Sequence, residues 1–394
     1  MELIRHKTTI KVLTLLLFTV LAVFGHALQA DAELTITNVT QKTKQTIESI
    51  PTAEKAPLPE TTPTIDLLPE EDPEALVLEE SLDSDNDATN EIFALFKKAS
   101  GQGNAEAQFN IGVRYAQGNG VPQNTKHAVY WYKKAADQGY AEALFNLGVM
   151  YAKGIGVPSN DTEAVAWFKK AAKLGQTEAQ YLLGLRYDQG DGVPLNYQES
   201  AKWLREAASR GHARAQSDLG VMYAQGKGVP QDYSRALSLF IKAAEQGNSS
   251  AQFNLGSIYA KGMGVRQDDK LAMNWFKRAA EQGQTDAQFM VGSRHDQGKG
   301  VPQNFQEAAK WYHKAAEKGY ALAQFNLGAL YANGEGVPFD NITAYAWSSL
   351  AANQGQEGAA KNRDSIAKGF TPKEISQAQA LAAELQAKID NIMN

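Results

Sequence analysis

The feature that most constrains this 394-residue chain is a 36-residue repeat that runs from Ala105 onward without an insertion. Glycine recurs at this step seven times, at Gly112, Gly148, Gly184, Gly220, Gly256, Gly292 and Gly328. All six tryptophans share one position of the repeat, namely Trp131, Trp167, Trp203, Trp275, Trp311 and Trp347, with Leu239 in the fourth repeat. A period of this size indicates stacked structural units, each too small to bury its own apolar face.

Each repeat is predicted to contain two helices. Ala107, Ile111 and Tyr115 recur at intervals of four residues and mark one buried stripe on the first helix. The glycine within this helix costs about 1 kcal/mol of helix propensity relative to alanine, so its repetition implies close approach of a partner helix. Gly118 and Pro122 form the turn, because glycine permits left-handed backbone geometry and proline prevents the helix from continuing.

The second helix is predicted to begin after the asparagine at position 124 and its equivalents. In three repeats a glutamate follows three residues later, which is the spacing of a capping box: Asn160 with Glu163, Asn196 with Glu199, and Asn304 with Glu307. Repeats three and six also share Arg186 with Arg294 and a run of further residues. We infer that a block of three repeats has been duplicated.

These positions together resemble the Sel1-like repeat, a relative of the tetratricopeptide repeat. The pattern A-x-A-Q-F-N-L-G-x-x-Y-A-x-G-x-G-V-P-x-D/N, then A, W, A-A and G, covers seven full repeats at residues 105–355. The resemblance implies an all-α fold, a right-handed α/α superhelical solenoid of helix-turn-helix repeats. Residues 91–104 match the second half of a repeat, and residues 356–394 are expected to form C-terminal capping helices.

Two segments of different composition precede the repeats. Residues 1–32 have the order of a signal peptide: Arg5, Lys7 and Lys11, then an apolar run too short to span a bilayer comfortably. Residues 33–90 are proline-rich and acidic, which predicts a disordered linker. We expect an exported member of the family, periplasmic or secreted, without a stable membrane anchor after signal cleavage. An uncleaved anchor is the alternative.

Few residues suggest catalysis. Ser365 and Lys368 fit the S-x-x-K motif of penicillin-recognising enzymes, and some Sel1-like proteins have been described as β-lactamases, but the partner motifs S-D-N and K-T-G are absent. His295 beside Asp296 either forms a pair that titrates near neutrality or replaces the packing tyrosine. Without cysteine and without metal-ligand spacing, we expect no enzyme activity, no cofactor and no metal.

The predicted recognition surface lies on the first helices, opposite their buried stripe, where residue types vary from repeat to repeat. Arginine and asparagine give directed hydrogen bonds, and methionine adapts to irregular apolar partners. In tetratricopeptide relatives a comparable asparagine of the concave groove holds the ligand backbone. The resemblance suggests this role for Asn110, Asn146, Asn254 and Asn326, and the candidate partner-binding set also includes Arg114, Arg186 and Arg294. The alternative is that these are solvated helix positions.

We therefore expect a monomeric protein-protein interaction scaffold that binds a peptide or protein in the concave groove of the solenoid. The alternatives are a β-lactamase or other penicillin-recognising enzyme, and a regulator of cell-envelope or peptidoglycan assembly or host-interaction factor. A formal net charge of -5 gives no strong attraction to nucleic acid. A carbohydrate groove would show exposed aromatic residues, whereas every tryptophan is predicted to lie in the core.

Overall fold

The computed structural model describes residue 98 and residues 100–393, which contain sixteen complete helices and no strand. In chain order these are α1 Ala105–Gln117, α2 Thr125–Asp137, α3 Ala141–Lys153, α4 Asp161–Lys173, α5 Thr177–Gln189, α6 Tyr197–Ser209, α7 Ala213–Gln225, α8 Tyr233–Glu245, α9 Ser249–Lys261, α10 Asp269–Glu281, α11 Thr285–Gln297, α12 Phe305–Ala316, α13 Ala321–Asn333, α14 Asn341–Asn353, α15 Ala359–Ala367 and α16 Pro372–Met393. None of the helices described is both long and apolar enough to cross a membrane. The predicted signal peptide (1–32), the linker (33–90) and most of the half-repeat (91–104) lie outside the described residues.

The helices from α1 to α14 form seven pairs, and each pair is one repeat. The first helix of a pair packs along the second, and the second packs against the first helix of the next pair. The main contacts of each of these helices are therefore with its neighbours along the chain. This is the arrangement of a solenoid, and it confirms the predicted all-α fold of stacked helix pairs.

The glycine in the middle of each first helix lies against a side chain of the second helix. A Cβ atom added to Gly220 of α7 would lie 2.7 Å from Cε1 of Phe240 in α8. Only 2% of Phe240 is exposed, so its ring has little room to move aside. The other pairs are Gly112 with Tyr132, Gly148 with Phe168, Gly184 with Leu204, Gly256 with Phe276, Gly292 with Tyr312 and Gly328 with Ser348. The predicted close approach of the two helices is confirmed.

The turn between the helices also contacts the preceding repeat. Gly118 ends α1 with a φ of 75°, in the left-handed region, and its N–H donates to a carbonyl of α1. The N–H of Asn124 donates to the carbonyl of Tyr115 at 2.8 Å, and its side chain caps α2. A Cβ at Gly156, in the next turn, would lie 2.5 Å from the carbonyl oxygen of Thr125. Glycine at this position therefore lets the turn of one repeat rest on the second helix of the repeat before it.

The capping boxes predicted within the repeats are half formed. The side chain of Asn160 accepts the N–H of Glu163 at 3.1 Å, as predicted. The N–H of Asn160, however, donates to the carbonyl of Tyr151 at 2.9 Å, and the same bond recurs at the other two boxes. The reciprocal bond from glutamate is therefore replaced by a bond to the first helix. Capping and helix pairing are thus achieved by one residue.

The C-terminal helices cover the last repeat. Both α15 and α16 pack against α14. Leu385 and Ile389 of α16 join the cluster of buried side chains that includes Trp347. A complete capping box begins α16, since Thr371 N–H donates to Glu374 at 2.7 Å and Glu374 N–H donates to the Thr371 hydroxyl at 3.3 Å. These two bonds fix the start of α16.

A row of buried glutamines, which the sequence did not reveal, joins neighbouring repeats. Nε2 of Gln252 donates to the Ala244 carbonyl of the preceding repeat at 3.2 Å, and its Oε1 accepts from Gln282 at 2.7 Å. Gln252 is buried, and leaving such an amide unpaired would cost about 1–3 kcal/mol. Equivalent bonds to the residues before each repeat are made by Gln108, Gln180, Gln216, Gln288 and Gln324. These bonds help to fix the position of each repeat relative to the preceding repeat.

Replacing Gly220 with alanine tests the close helix contact. In an exposed helix this change would stabilise by about 1 kcal/mol through helix propensity. Here we expect a loss of about 1–3 kcal/mol, because the methyl group overpacks the contact with Phe240. Denaturant titration followed by circular dichroism measures the difference. Gly369→Ala is the control, since a Cβ there would meet only the Ile366 carbonyl oxygen at 3.7 Å. A Gly220→Ala protein as stable as the wild type would show that the contact is not tight.

Candidate partner-binding site

The first helices present one face away from the core, which we call the first-helix face. In α1 it consists of Glu106, Asn110, Val113 and Gln117, and the same four positions recur in each repeat. These residues are partly or fully exposed in all seven repeats except at Ser257, which is buried. Their residue types change along the chain, so the face is chemically different from one repeat to the next.

The predicted asparagines lie on this face and are half-buried, at Asn110, Asn146, Asn254 and Asn326. Two of them bind a tyrosine hydroxyl of the preceding repeat, since Asn146 is hydrogen-bonded to Tyr132 and Asn326 to Tyr312. Burial raises the pKa of both tyrosines, and these hydrogen bonds oppose that rise. The residue equivalent to these tyrosines before Asn254 is Phe240, which has no hydroxyl. The four asparagines are therefore not equivalent in what they can offer a partner.

The predicted arginines do not share an exposed face. Only 5% of Arg294 is exposed, and the side chain of Arg186 is 15% exposed. Other repeats carry apolar residues at this position, all of them buried: Met150, Met222, Ile258 and Leu330. The prediction of an exposed arginine row is wrong because each first helix contacts two second helices, its own and that of the preceding repeat. The buried arc is therefore wider than the apolar stripe alone indicates.

Arg186 and Arg294 each bind an aspartate of the preceding repeat. Nη1 of Arg294 lies 2.9 Å from Oδ1 of Asp269, and Nη1 of Arg186 lies 2.6 Å from Oδ1 of Asp161. Both aspartates are the first residue of a second helix, where the helix dipole also favours a negative charge. Arg114 is half-buried and donates instead to the carbonyl of Asn119 in its own turn, at 3.2 Å. Arg186 thus links the third repeat to the second, and Arg294 links the sixth repeat to the fifth.

The third and fourth repeats bring titratable groups together on the first-helix face. Asp218 stands at the asparagine position and is hydrogen-bonded to Tyr181 of the preceding repeat. Burial raises the pKa of Asp218 to about 6; the bond to Tyr181 opposes this rise, and the Asp188 carboxylate adds to it. Nε2 of His212 lies 3.0 Å from Glu178, and this hydrogen bond lowers the pKa of the Glu178 carboxyl. The face therefore changes charge at Asp218 near pH 6. The repeat pattern shows that Asp218 stands at the asparagine position, but its hydrogen bond to Tyr181 follows only from the structure.

The second helices form the opposite side, and their tryptophans are not all in the core. Trp131, Trp203, Trp311 and Trp347 are buried, whereas Trp167 and Trp275 are half-buried. Nζ of Lys170 lies 4.0 Å from the centre of the Trp167 ring, and the guanidinium of Arg278 lies 4.6 Å from that of Trp275. Each such contact contributes about 0.5–1 kcal/mol where it is exposed. The expectation that every tryptophan is a core residue is wrong at these two positions.

A cleft of about 550 Å³ opens between α12 and α13, and residues of the turn that follows α13 also line it. Its lining includes Glu307, Trp311, His313, Lys314, Tyr331 and Val337. The cleft is bounded by the second helix of one repeat and the first helix of the next. It is a concave surface that the sequence did not predict.

The described residues give the catalytic alternatives no support. No group of three or more histidines and carboxylates in this part of the chain could hold a metal ion. Ser365 and Lys368 are exposed, at the end of the nine-residue helix α15. Asp296 accepts the hydroxyl of Tyr312 at 3.1 Å, and burial lowers the pKa of His295. Of the two interpretations of His295, the structure favours replacement of a packing tyrosine.

Reversing the charge of Arg294 tests whether it is structural. Arg294→Glu places a second carboxylate beside Asp269, and a buried charge without its partner is strongly destabilising. We expect a loss of about 2–4 kcal/mol, less than for a fully enclosed pair because 35% of the Asp269 side chain is exposed. Arg266→Glu is the control, since Arg266 is exposed. Equal stability of the two variants in denaturant titration would mean that Arg294 faces solvent.

Comparison with known proteins agrees with this architecture. The Sel1 repeat family matches residues 105–140, 141–176, 177–212, 213–248, 249–284, 285–320 and 321–356. A Sel1 repeat protein from Oxalobacter formigenes is 35% identical over 73% of this chain and 83% of its own, with a TM-score of 0.60. A protective antigen of uropathogenic Escherichia coli with an SLR fold is 31% identical over 76% of this chain and 80% of its own, with a TM-score of 0.38. No curated protein matches the chain.

The family match and the fold coincide repeat by repeat. Each matched segment contains one helix pair together with its turn, from α1 and α2 to α13 and α14. The seven segments are consecutive and cover more than half of the chain. This protein belongs to the Sel1 repeat family.

Proposed function

We propose that this protein is a scaffold that binds a peptide or protein on its first-helix face. One observation carries the proposal. The positions that hold the stack together repeat nearly unchanged, whereas the exposed positions of the first helices differ between repeats. Sel1 repeat proteins bind protein partners in general. Because the exposed residue types differ from repeat to repeat, the first-helix face can bind one particular partner selectively.

The asparagines of this face are suited to a peptide backbone. A side-chain amide both donates and accepts hydrogen bonds, as does each peptide group of a ligand. Asn110 and Asn254 offer such amides at the first and fifth repeats. At Asn146 and Asn326 one tyrosine bond orients the amide and leaves further donors and acceptors for a ligand.

The first two repeats favour a partner with basic and apolar side chains. Glu106 and Glu142 are exposed on the first-helix face, and both carboxylates, together with burial, raise the pKa of Tyr140 between them. Val113 and Val149 are half-buried on the same face. Carboxylates beside partly exposed aliphatic side chains complement lysine or arginine next to an apolar residue.

The proposal places this binding outside the cytoplasm, in the periplasm or after secretion. It rests on the signal-peptide pattern of residues 1–32, from which we expect a mature chain that begins between Leu28 and Glu33. The scaffold acts as a monomer and without a cofactor. Ala30 and Ala32 are separated by one residue, and this A-x-A spacing supports cleavage after Ala32.

Site-specific photo-crosslinking in intact cells tests the proposal. A crosslinking amino acid is placed at Glu142, Gln225 or Asn333, which are exposed on the first-helix face. The matched controls are Lys133, Lys169 and Lys277, which are exposed on second helices. We expect one partner protein to be captured from the first-helix positions and little or none from the controls. A peptide taken from the contact region of the captured partner should then compete with that partner for binding to the first-helix face.

Two results would contradict the proposal. Capture only from the second-helix positions would move the binding surface to the other side of the solenoid. Adducts that carry intact Met1 and occur only in the cytosolic fraction would refute export. The two parts of the proposal are therefore tested separately by the same set of variants.

A further inference from the structure

Two arginines converge on one tyrosine hydroxyl at the junction of the third and fourth repeats. Nη2 of Arg205 lies 3.3 Å from the Tyr223 hydroxyl, and Nη1 of Arg235 lies 3.4 Å from the same oxygen. The guanidinium of Arg235 also lies over the Tyr223 ring, 5.5 Å from its centre. The positive charges of Arg205 and Arg235 therefore lie near each other, and the uncharged Tyr223 hydroxyl neutralises neither of them.

The three residues come from three helices that meet at the junction of two repeats. Arg205 is in α6, Tyr223 in α7 and Arg235 in α8. The equivalents of Arg205 and Tyr223 at the last junction, His313 and Tyr331, line the cleft between α12 and α13. Arg205 and Tyr223 therefore hold, at the junction of the third and fourth repeats, the positions that line this cleft at the last junction.

At several other junctions a lysine and a glutamate occupy the positions of Arg205 and Arg235, whereas this junction has two arginines. Lys169, Tyr187 and Glu199 occupy them between the second and third repeats, and Lys277, His295 and Glu307 between the fifth and sixth. In both cases a glutamate stands where Arg235 stands here. The fourth repeat has therefore exchanged a compensating acid for a second base.

The surroundings leave the site with about one positive charge. Nε of Arg235 lies 3.2 Å from Oδ2 of Asp232, which neutralises part of the pair. Within the described residues, the side chain of Arg205 makes one hydrogen bond, to the Tyr223 hydroxyl, so no carboxylate neutralises it. Burial acts to raise the pKa of Tyr223, but the bonds from Arg205 and Arg235 outweigh it and lower that pKa. The local field is therefore positive and favours an anion.

We propose that Arg205, Arg235 and the Tyr223 hydroxyl bind the carboxylate of an acidic peptide segment. Guanidinium groups are planar forks of donors that match the two oxygens of a carboxylate. Both arginines are exposed, and their remaining N–H donors can reach a ligand without a change of fold. With the arginines turned to the carboxylate, the tyrosine hydroxyl is released to donate a third bond. A site with one net positive charge suits a carboxylate better than a dianionic phosphate.

This site goes beyond the proposed function, because its two arginines lie on second helices and it takes acidic rather than basic residues. A partner held on the first-helix face does not need it. Loss of the carboxylate site would leave capture by Glu142, Gln225 and Asn333 unchanged, so the two proposals fail independently.

Fluorescence anisotropy with a labelled hexaglutamate peptide and the full-length protein tests the site at near-physiological salt. We expect Arg205→Gln and Arg235→Gln each to weaken binding by about fivefold or more, as removal of one partner of a charged hydrogen bond does. Tyr223→Phe keeps the buried ring and should weaken binding by about twofold to threefold through the lost hydroxyl. Arg266→Gln removes the same charge from an exposed turn and should leave the affinity unchanged.

Three outcomes would overturn the proposal. Absence of saturable hexaglutamate binding would show that no site exists. An equal loss of affinity in Arg266→Gln and Arg205→Gln would mean diffuse attraction between the peptide and a basic surface. Displacement of the peptide by inorganic phosphate at a comparable concentration of anion would assign the site to phosphate instead.

Discussion

The whole stack depends on a contact between two helices that leaves no space for a side chain at its centre. Glycine at position 112 and its equivalents brings the first helix onto a buried side chain of the second, as at Gly220 and Phe240. Because the pair is this close, the turn after Gly118 can bond both helices, and Asn124 can cap one while it bonds the other. Glycine lowers the helix propensity of the first helix by about 1 kcal/mol, and the packing that it permits outweighs this cost.

The contacts between repeats combine apolar packing with directed polar bonds. Gln252 spans from Ala244 of one repeat to Gln282 of the next, and both ends of its amide are satisfied. The ion pair of Arg294 with Asp269 recurs as Arg186 with Asp161, three repeats earlier. Directed bonds of this kind allow fewer relative positions than apolar packing does, so they fix the angle at which successive repeats stack. The ion pair recurs at the spacing of the inferred three-repeat duplication, whereas the residue three repeats before Gln252 is Leu144, which makes no such bond.

Local sequence rules were sufficient for the helix pairs and insufficient for the surfaces between repeats. The period, the turn glycines and the asparagine caps are set by residues a few positions apart, and the pattern shows them directly. The buried position of Arg294 and the row of glutamines depend on a helix of the preceding repeat, which a single helical wheel leaves out. The same omission explains the error in the candidate site: the pattern places the asparagines correctly on the accessible face, but it also places Arg186 and Arg294 there, and both are mostly buried. Tyr223 joins residues 18 and 12 positions away from it, so no local pattern marks it.

If stability comes from contacts between neighbouring repeats, whole repeats can be removed and parts of repeats cannot. Deletion of residues 177–284 removes the third to fifth repeats and joins Gln176 to Thr285, the same pair of residue types as at Gln284–Thr285. Arg294 would then face Asp161, which already accepts an arginine at that position. Circular dichroism of this protein should show wild-type helicity per residue and cooperative unfolding, whereas deletion of 177–266, which ends half a repeat earlier, should abolish the cooperative transition. Loss of structure in both deletions would contradict the account.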